Sequence, residues 1–224
     1  MFGRSTFSED LTGWWKKNKR EFPWRNERDP YRVMVAEKLL QRTRAENVVP
    51  VYLEFVSRFP DSSSLARAGY RAVHRVTDRI GLKSRVGSLI GTAKVIDRTY
   101  GGSVPRDIEK LRALPGIGDY ISSAVMVFGF GEDYPLTDVN TVRIVSRVLG
   151  IRVTDSSRRD RRFKEAYQLL KQGSPPAEFG YAMIDLAAQV CLPRVPRCHC
   201  CPVLSHCKFG KTDAKIFFPP PRQL

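Results

Sequence analysis

The chain has 224 residues, with 38 Lys and Arg against 23 Asp and Glu, and a formal net charge of +15. This excess of positive charge favours a polyanionic partner, most simply nucleic acid, with a membrane surface as the second choice. No apolar run approaches the roughly 20 residues of a spanning helix, and the N-terminus lacks the apolar segment of a signal peptide. We therefore expect an intracellular protein of the cytoplasm or nucleoid, without a membrane partner.

Helical spacing of apolar residues recurs along the whole chain, and no segment alternates as a strand does. Ser8, Glu9 and Asp10 predict the start of a first helix, and Asp29-Pro30 predicts the start of a second, because Asp caps a helix and Pro suits its first turn. Further helices are predicted at residues 48–59, 65–68, 70–80, 86–100, 106–113, 121–128, 140–149, 162–171 and 177–190. The sequence therefore predicts an all-α protein.

The segment at the centre of the chain reads Leu114-Pro115-Gly116-Ile117-Gly118. Pro115 and Gly116 end one helix, and we expect Gly118 to adopt a backbone geometry that a side chain would forbid. The next helix carries Tyr120 in its first turn. A hairpin of this kind presents free amides and a helix N-terminus, which suit a phosphate. Taken alone, the segment could equally be a tight turn between two core helices.

Two carboxylates are candidates for chemistry. Asp138 directly precedes the predicted helix 140–149, where a helix N-terminus stabilises a negative charge. Its simplest interpretation is an ordinary N-cap. Glu37 lies among the apolar residues of the second helix, and taken alone it is most simply a carboxylate on the helix surface.

All five cysteines lie within residues 191–207, which disfavours a disulfide framework and predicts a metal centre. Four of them have the spacing C-x6-C-x2-C-x5-C, and soft sulfur ligands suit iron–sulfur or zinc. Zinc sites usually pair two C-x2-C knuckles across a longer loop, so the tight spacing favours a [4Fe–4S] cluster. Cys200 is the unassigned fifth thiol, and His199 and His206 are predicted not to be ligands. The predicted ligands are Cys191, Cys198, Cys201 and Cys207.

Together, the Leu-Pro-Gly-Ile-Gly hairpin, the later Asp138 and the cysteine spacing resemble the helix-hairpin-helix DNA glycosylases, the superfamily of endonuclease III and the MutY adenine glycosylase. The resemblance covers the chain from Trp14 to Cys207. Residues 22–25, 29–31 and 37–43 resemble both MutY and the MIG-type thymine-DNA mismatch glycosylase. Tyr120 favours the MIG type, because endonuclease III has lysine there and MutY usually serine. Gln41 is instead the MutY-like residue.

The resemblance implies a two-lobed fold. A six-helix barrel lobe would span residues 27–135 with the helix-hairpin-helix at about 107–130. An iron–sulfur cluster lobe would be formed by both chain ends, residues 1–26 and 136–210, followed by a tail at 211–224. The resemblance also implies a [4Fe–4S] cluster, a monovalent cation at the hairpin, a monomer, and double-stranded DNA with a mismatched or deaminated base as the partner.

The resemblance also assigns roles to individual residues. Asp138 would stabilise the positive charge that develops on the sugar. Glu37 would protonate the leaving base or bind its edge, and Tyr120 would pack against the flipped nucleotide. Leu82 would be the wedge that fills the gap in the duplex. The implied DNA contacts are Gln41, Arg42, Leu82, Lys83, Gly116 and Gly118.

These roles predict a monofunctional DNA glycosylase of base excision repair. It would hydrolyse the bond to thymine or uracil mispaired with guanine and leave an abasic site. Strong lyase activity is not expected, because Tyr120 offers no amine for a Schiff base. The alternative is an adenine glycosylase acting on A:8-oxoguanine or A:G, which Gln41 and Glu37 favour. A non-catalytic DNA-binding protein is a third possibility, against which the two carboxylates argue.

Overall fold

The computed structural model describes residues 5–81 and 83–212, and the side chains of Lys83 and Ser84 lie outside that description. Within these residues the chain forms twelve α-helices and no strand, which confirms the all-α prediction. None of the described helices is long and apolar enough to cross a membrane. The tail from residue 213 onward lies outside the described residues.

The chain divides into two compact units. One unit spans residues 21–134, and the other combines residues 1–20 with residues 135–224. The first unit contains α2 to α8, and short 3₁₀ turns precede α2 and follow α5. These helices are α2 (Pro30–Leu40), α3 (Ala45–Arg58), α4 (Ser62–Arg67), α5 (Tyr70–Thr77), α6 (Lys83–Tyr100), α7 (Ile108–Arg112) and α8 (Asp119–Ala124).

The second unit is built from both chain ends. Its helices are α1 (Phe7–Asn18), α9 (Val139–Leu149), α10 (Arg161–Lys171), α11 (Pro176–Gln189) and α12 (Lys208–Lys211). Helix α11 packs against α1 and α9. The buried Asp185 of α11 ties α1 to it, because its carboxylate accepts hydrogen bonds from Trp15 Nε1 at 2.9 Å and Arg20 Nε at 2.6 Å.

Helix α2 is buried along most of its length in the 21–134 unit. It begins where predicted, because the Asp29 side chain accepts from Tyr31 N at 2.8 Å and Pro30 occupies the first turn. The helix contacts α3, α8 and the turn that follows α8. Residues 33–39 are all buried, which places two charged side chains, Glu37 and Lys38, inside the unit.

Several local predictions differ from the structure, and two of them concern α1 and the helix after the hairpin. Thr6, rather than Ser8, caps α1 in a reciprocal capping box with Glu9. The helix after the hairpin is not uniformly α-helical, since Val125–Gly129 forms a π-turn in which Phe130 N donates to Val125 O at 3.1 Å. A Cβ on Gly129 would lie 2.9 Å from Pro30 Cα, so the π-turn brings this glycine directly against the start of α2.

Candidate active site

The predicted hairpin joins α7 to α8 in the 21–134 unit. Leu114 and Ile117 are buried, and Ile117 N donates to Leu114 O at 3.1 Å. Pro115, Gly116 and Gly118 are exposed, so the backbone of the turn reaches the surface. The turn is therefore anchored by its two apolar side chains and presents main-chain groups outward.

The structure requires glycine at residue 116 of the hairpin but not at residue 118. Gly116 has φ +68°, which L residues rarely adopt, and a Cβ there would lie 2.0 Å from Ser88 Oγ. Gly118 has φ −100° and ψ −179°, so the prediction of a forbidden geometry at this residue is wrong. A Cβ on Gly118 would meet nothing within 4 Å. The room beside Gly118 is thus open to a ligand from outside the protein.

Tyr120 lies in the first turn of α8 and is partly exposed. The N-cap of this helix, Gly118, provides no side-chain cap. An ion pair joins the two helices of the hairpin, with Arg112 Nε 3.0 Å from an oxygen of Asp119. These features hold Tyr120 beside an uncapped helix N-terminus.

Glu37 is buried, with 8% of its surface exposed, so the interpretation as a surface carboxylate is wrong. The next residue, Lys38, is more deeply buried, and sequence reasoning missed it. No local signal singles out Lys38, because its burial depends on contacts with α6 and the hairpin. Burial, and secondarily Arg85, lowers the pKa of Lys38 to about 8.

Gln41 and Arg42 end α2 at the surface. Gln41 is the C-cap, and its carbonyl accepts from Arg85 Nη1 at 2.5 Å. Arg42 has φ +59°, the one non-glycine residue with positive φ in the described chain. Strain of this kind concentrates where a functional site fixes the backbone. Leu82 lies outside the described residues, and Lys83 begins α6 with its side chain also outside them.

Asp138 belongs to the other unit and is the N-cap of α9. Its Oδ1 accepts from Asn140 N at 2.9 Å and Thr141 N at 2.8 Å, while Oδ2 accepts from Asn140 Nδ2 at 2.8 Å. Thr141 Oγ1 accepts from Asp138 N at 3.0 Å, which completes a capping box. Asp138 is therefore an N-cap, as its simplest interpretation predicted, and these hydrogen bonds fix the orientation of its carboxylate.

A hydrogen-bond chain that the sequence did not predict leads from Asp138 toward the cysteines. Asn140 donates to Asp138 Oδ2 and accepts at Oδ1 from Arg143 Nη1 at 3.1 Å. Arg143 in turn donates through Nε to Cys191 O at 3.0 Å and through Nη2 to Ala187 O at 3.2 Å. Asn140 and Arg143 are three residues apart on α9, so helix geometry could have predicted that their side chains are neighbours.

Four of the five cysteines line one small cavity, together with Arg147 and Phe209. They are Cys191, Cys198, Cys201 and Cys207. Cys200 is exposed and does not line this cavity. His206 lies 2.9 Å from Asp10 Oδ2, so it is engaged elsewhere. In the described part of the chain, no group of three or more His, Cys, Asp or Glu is arranged to hold a single metal ion.

Arg147 places a positive charge beside the cavity. Its Nη1 donates to Cys191 Sγ at 3.3 Å and to Leu192 O at 2.7 Å, and its guanidinium lies 4.9 Å from the centre of the Phe209 ring. Burial raises the pKa of the Cys198 and Cys207 thiols, and that of Cys201 to about 12. A thiolate-binding group would have to displace these protons.

Within the described residues the fold is all-helical, and two short helices joined by a glycine hairpin are the arrangement that gives the helix-hairpin-helix class its name. The chain matches the family model described as HhH-GPD superfamily base excision DNA repair protein over residues 35–169. It is 38% identical over 200 residues to the thymine-DNA glycosylase of Aeropyrum pernix, covering 87% of this chain and 89% of that protein.

The chain is also 31% identical over 218 residues to the thymine/uracil-DNA glycosylase of Pyrobaculum aerophilum, covering 94% of both. A solved structure of a thermostable thymine-DNA glycosylase matches with a TM-score of 0.84 and 30% identity, covering 92% of this chain and 95% of that one. The chain therefore belongs to the HhH-GPD superfamily of base excision DNA repair proteins. It is a DNA glycosylase.

Proposed function

We propose that the chain is a monofunctional glycosylase that removes thymine or uracil mispaired with guanine. The observation that carries the proposal is the Asp138 carboxylate, which three N–H donors hold in one orientation. The names of the relatives, thymine-DNA and thymine/uracil-DNA glycosylase, support the substrate. Double-stranded DNA is the proposed partner, and the protein is proposed to act as a monomer.

In the proposed reaction the bond between C1′ of the deoxyribose and the pyrimidine nitrogen breaks, and its electron pair leaves with the base. The sugar becomes oxocarbenium-like, and the Asp138 carboxylate stabilises that positive charge. A water oxygen then bonds to C1′ and its proton passes to the Asp138 carboxylate, which leaves an abasic site. Glu37 is proposed to protonate the leaving base or to bind its edge.

The hairpin is proposed to anchor the DNA backbone through the amides around Gly116 and Gly118. The monovalent cation that the resemblance implies remains part of this proposal, although Pro115 O and Gly116 O already accept from Lys38 Nζ at 3.4 and 3.3 Å. Gln41, Arg42, Leu82 and Lys83 are proposed to contact the strands around the flipped base.

Replacement of Gly118 by alanine tests the anchor. Alanine tolerates φ −100°, and its Cβ meets nothing within 4 Å, so we expect an unchanged melting temperature. The methyl group would occupy the space left for the phosphate, and we expect affinity for duplex DNA to fall about tenfold. Gly13→Ala on exposed α1 is the matched control, since its Cβ also meets nothing. Equal DNA affinity in the two variants would show that the hairpin is not part of the DNA-binding surface.

A [4Fe–4S] cluster held by Cys191, Cys198, Cys201 and Cys207 is also proposed. These residues fit the group, because all four line one cavity and Cys200 does not. Cysteines of a four-iron cluster each bind a different iron, so they stand further apart than the ligands of one ion. The cluster would supply no step of the hydrolysis. Its proposed contribution is to stabilise the fold of the cluster lobe, residues 1–26 and 136–210, whereas the proposed barrel lobe is residues 27–135.

Replacement of Tyr120 by lysine tests whether the reaction stops at the abasic site. A lysine amine at this position can attack C1′ and form a Schiff base, which permits β-elimination of the strand. We expect the variant to cleave DNA without alkali and to form a borohydride-trapped adduct. Tyr120→Phe is the control and should do neither. If the lysine variant forms no adduct while still excising the base, residue 120 does not face the sugar.

The alternative is an adenine glycosylase, which Gln41 favours. A panel of labelled G:T, G:U, A:8-oxoguanine and A:G duplexes distinguishes the two, because the strand that becomes alkali-labile identifies the base removed. Excision from G:T and G:U supports the proposal. Excision of adenine alone, from the strand opposite guanine or 8-oxoguanine, would replace it with the alternative.

A further inference from the structure

The buried ammonium of Lys38 is a charged group that the proposed reaction does not use. Lys38 is 3% exposed, and its Nζ donates to Ser88 Oγ at 2.8 Å. It lies 3.4 Å from Thr92 Oγ1 and 3.4 Å from Pro115 O, and 3.3 Å from Gly116 O. The ammonium therefore joins α2, α6 and the hairpin at one point inside the 21–134 unit.

These bonds fix how the hairpin peptides are oriented. Pro115 O accepts from Lys38 and also from Thr92 Oγ1 at 2.6 Å and Ser88 Oγ at 3.3 Å, so its carbonyl points inward. In a trans peptide the C=O and the N–H of the same group point in opposite directions. The N–H of Gly116 shares a peptide group with Pro115 O and therefore points away from Lys38, toward the exposed side of the turn.

The hairpin also packs tightly against the side chains of Lys38 and Ser88. A Cβ on Gly116 would lie 3.2 Å from Lys38 Nζ, besides its clash with Ser88. Burying an ammonium is costly, and the lowered pKa of about 8 reflects that cost. The buried ammonium of Lys38 donates toward two hairpin carbonyls. It is therefore suited to fixing the conformation of the turn.

We propose that Lys38 is a positioning residue for DNA binding: its ammonium holds the Pro115 and Gly116 carbonyls inward and so aims the Gly116 amide at a DNA phosphate. This inference rests on the proposed function of the hairpin as the DNA anchor.

The proposal predicts a pH dependence of binding. The groups around the ammonium are the hydroxyls of Ser88 and Thr92 and the two hairpin carbonyls, all neutral, and the charged residue that acts on it is Arg85 of α6. As pH rises through about 8, Lys38 loses its proton, and the DNA affinity of the unmodified protein should fall in a step.

Lys38→Met is the test, because methionine has a similar length and no charge. Lys94→Met, on the exposed side of α6, removes the same charge elsewhere. Dissociation constants for a duplex that carries an abasic-site analogue opposite guanine are measured at pH 7 over a salt series. We expect Lys38→Met to bind about tenfold more weakly than Lys94→Met. Its salt slope should equal that of the unmodified protein, because a buried lysine releases no counterion from DNA.

Three results would overturn the proposal. The first is equal DNA affinity in the two variants, and the second is the absence of a step near pH 8 in the unmodified protein. The third is a salt slope reduced by about one in Lys38→Met, because that reduction marks a direct phosphate contact. The pH profile needs no variant, so it decides even if Lys38→Met fails to fold. Excision of uracil from a G:U duplex by the unmodified protein is measured alongside. Its absence would instead count against the proposed function.

Discussion

Asp138→Asn is expected to lower the single-turnover rate of base excision by about a thousandfold, with DNA binding retained. Asparagine is as good an N-cap as aspartate, and its Oδ1 can still accept from Asn140 N and Thr141 N. The second oxygen becomes an amide that faces the Asn140 side chain, which costs about one hydrogen bond. The fold therefore survives, and the negative charge that the sugar cation needs is lost.

Asp160→Asn is the matched control for this experiment. Asp160 caps α10 in the same unit, and its side chain accepts from Arg162 N at 2.9 Å. The control should excise at the unmodified rate. Thermal melts and binding to an abasic-site duplex establish that both variants fold and bind. Full activity in Asp138→Asn would refute the assignment of Asp138 as the catalytic carboxylate.

Cys201→Ser is expected to abolish the cluster and to lower the melting temperature more than Asp138→Asn, Gly118→Ala or Tyr120→Lys does. Cys201 lines the shared cavity, whereas Cys200, its neighbour in the chain, is exposed and lies outside it. A structural metal centre contributes folding free energy directly, so losing one ligand destabilises the loops that enclose it. The purified unmodified protein should be brown and contain about four irons per chain.

Cys200→Ser is the control, and it should keep the iron, the visible absorbance and the melting temperature. Iron content is measured together with zinc, because thiolates also suit zinc. Zinc in place of iron, or iron retained in full by Cys201→Ser, would contradict the assignment of the four ligands.

Local patterns predicted what depends on neighbouring residues in the chain. Asp29-Pro30 marked the start of α2, and Asp138 was identified as a cap, because capping needs only residues within one turn. The cysteine spacing singled out the four thiols that line one cavity, since all lie within one loop. The all-α fold followed from helical spacing.

What sequence reasoning missed depends on distant contacts. Glu37 and Lys38 look like ordinary helix-surface charges until α6 and the hairpin close around α2. The need for glycine was assigned to Gly118, although the positive φ of Gly116 and the packing of Ser88 against the turn show that Gly116 requires it. The left-handed conformation of Arg42 and the π-turn at Val125–Gly129 have no signature in residue type.

The most direct test of the proposed function follows a G:T duplex labelled on the thymine strand, incubated with the unmodified protein and divided between hot alkali and neutral buffer. We expect an intact labelled strand in neutral buffer and cleavage at the thymine after alkali, because hydrolysis leaves an uncleaved abasic site. Cleavage in neutral buffer would show a lyase, and an intact strand after alkali, with cleavage of an A:G duplex instead, would show an adenine glycosylase. Either result would contradict a monofunctional thymine glycosylase.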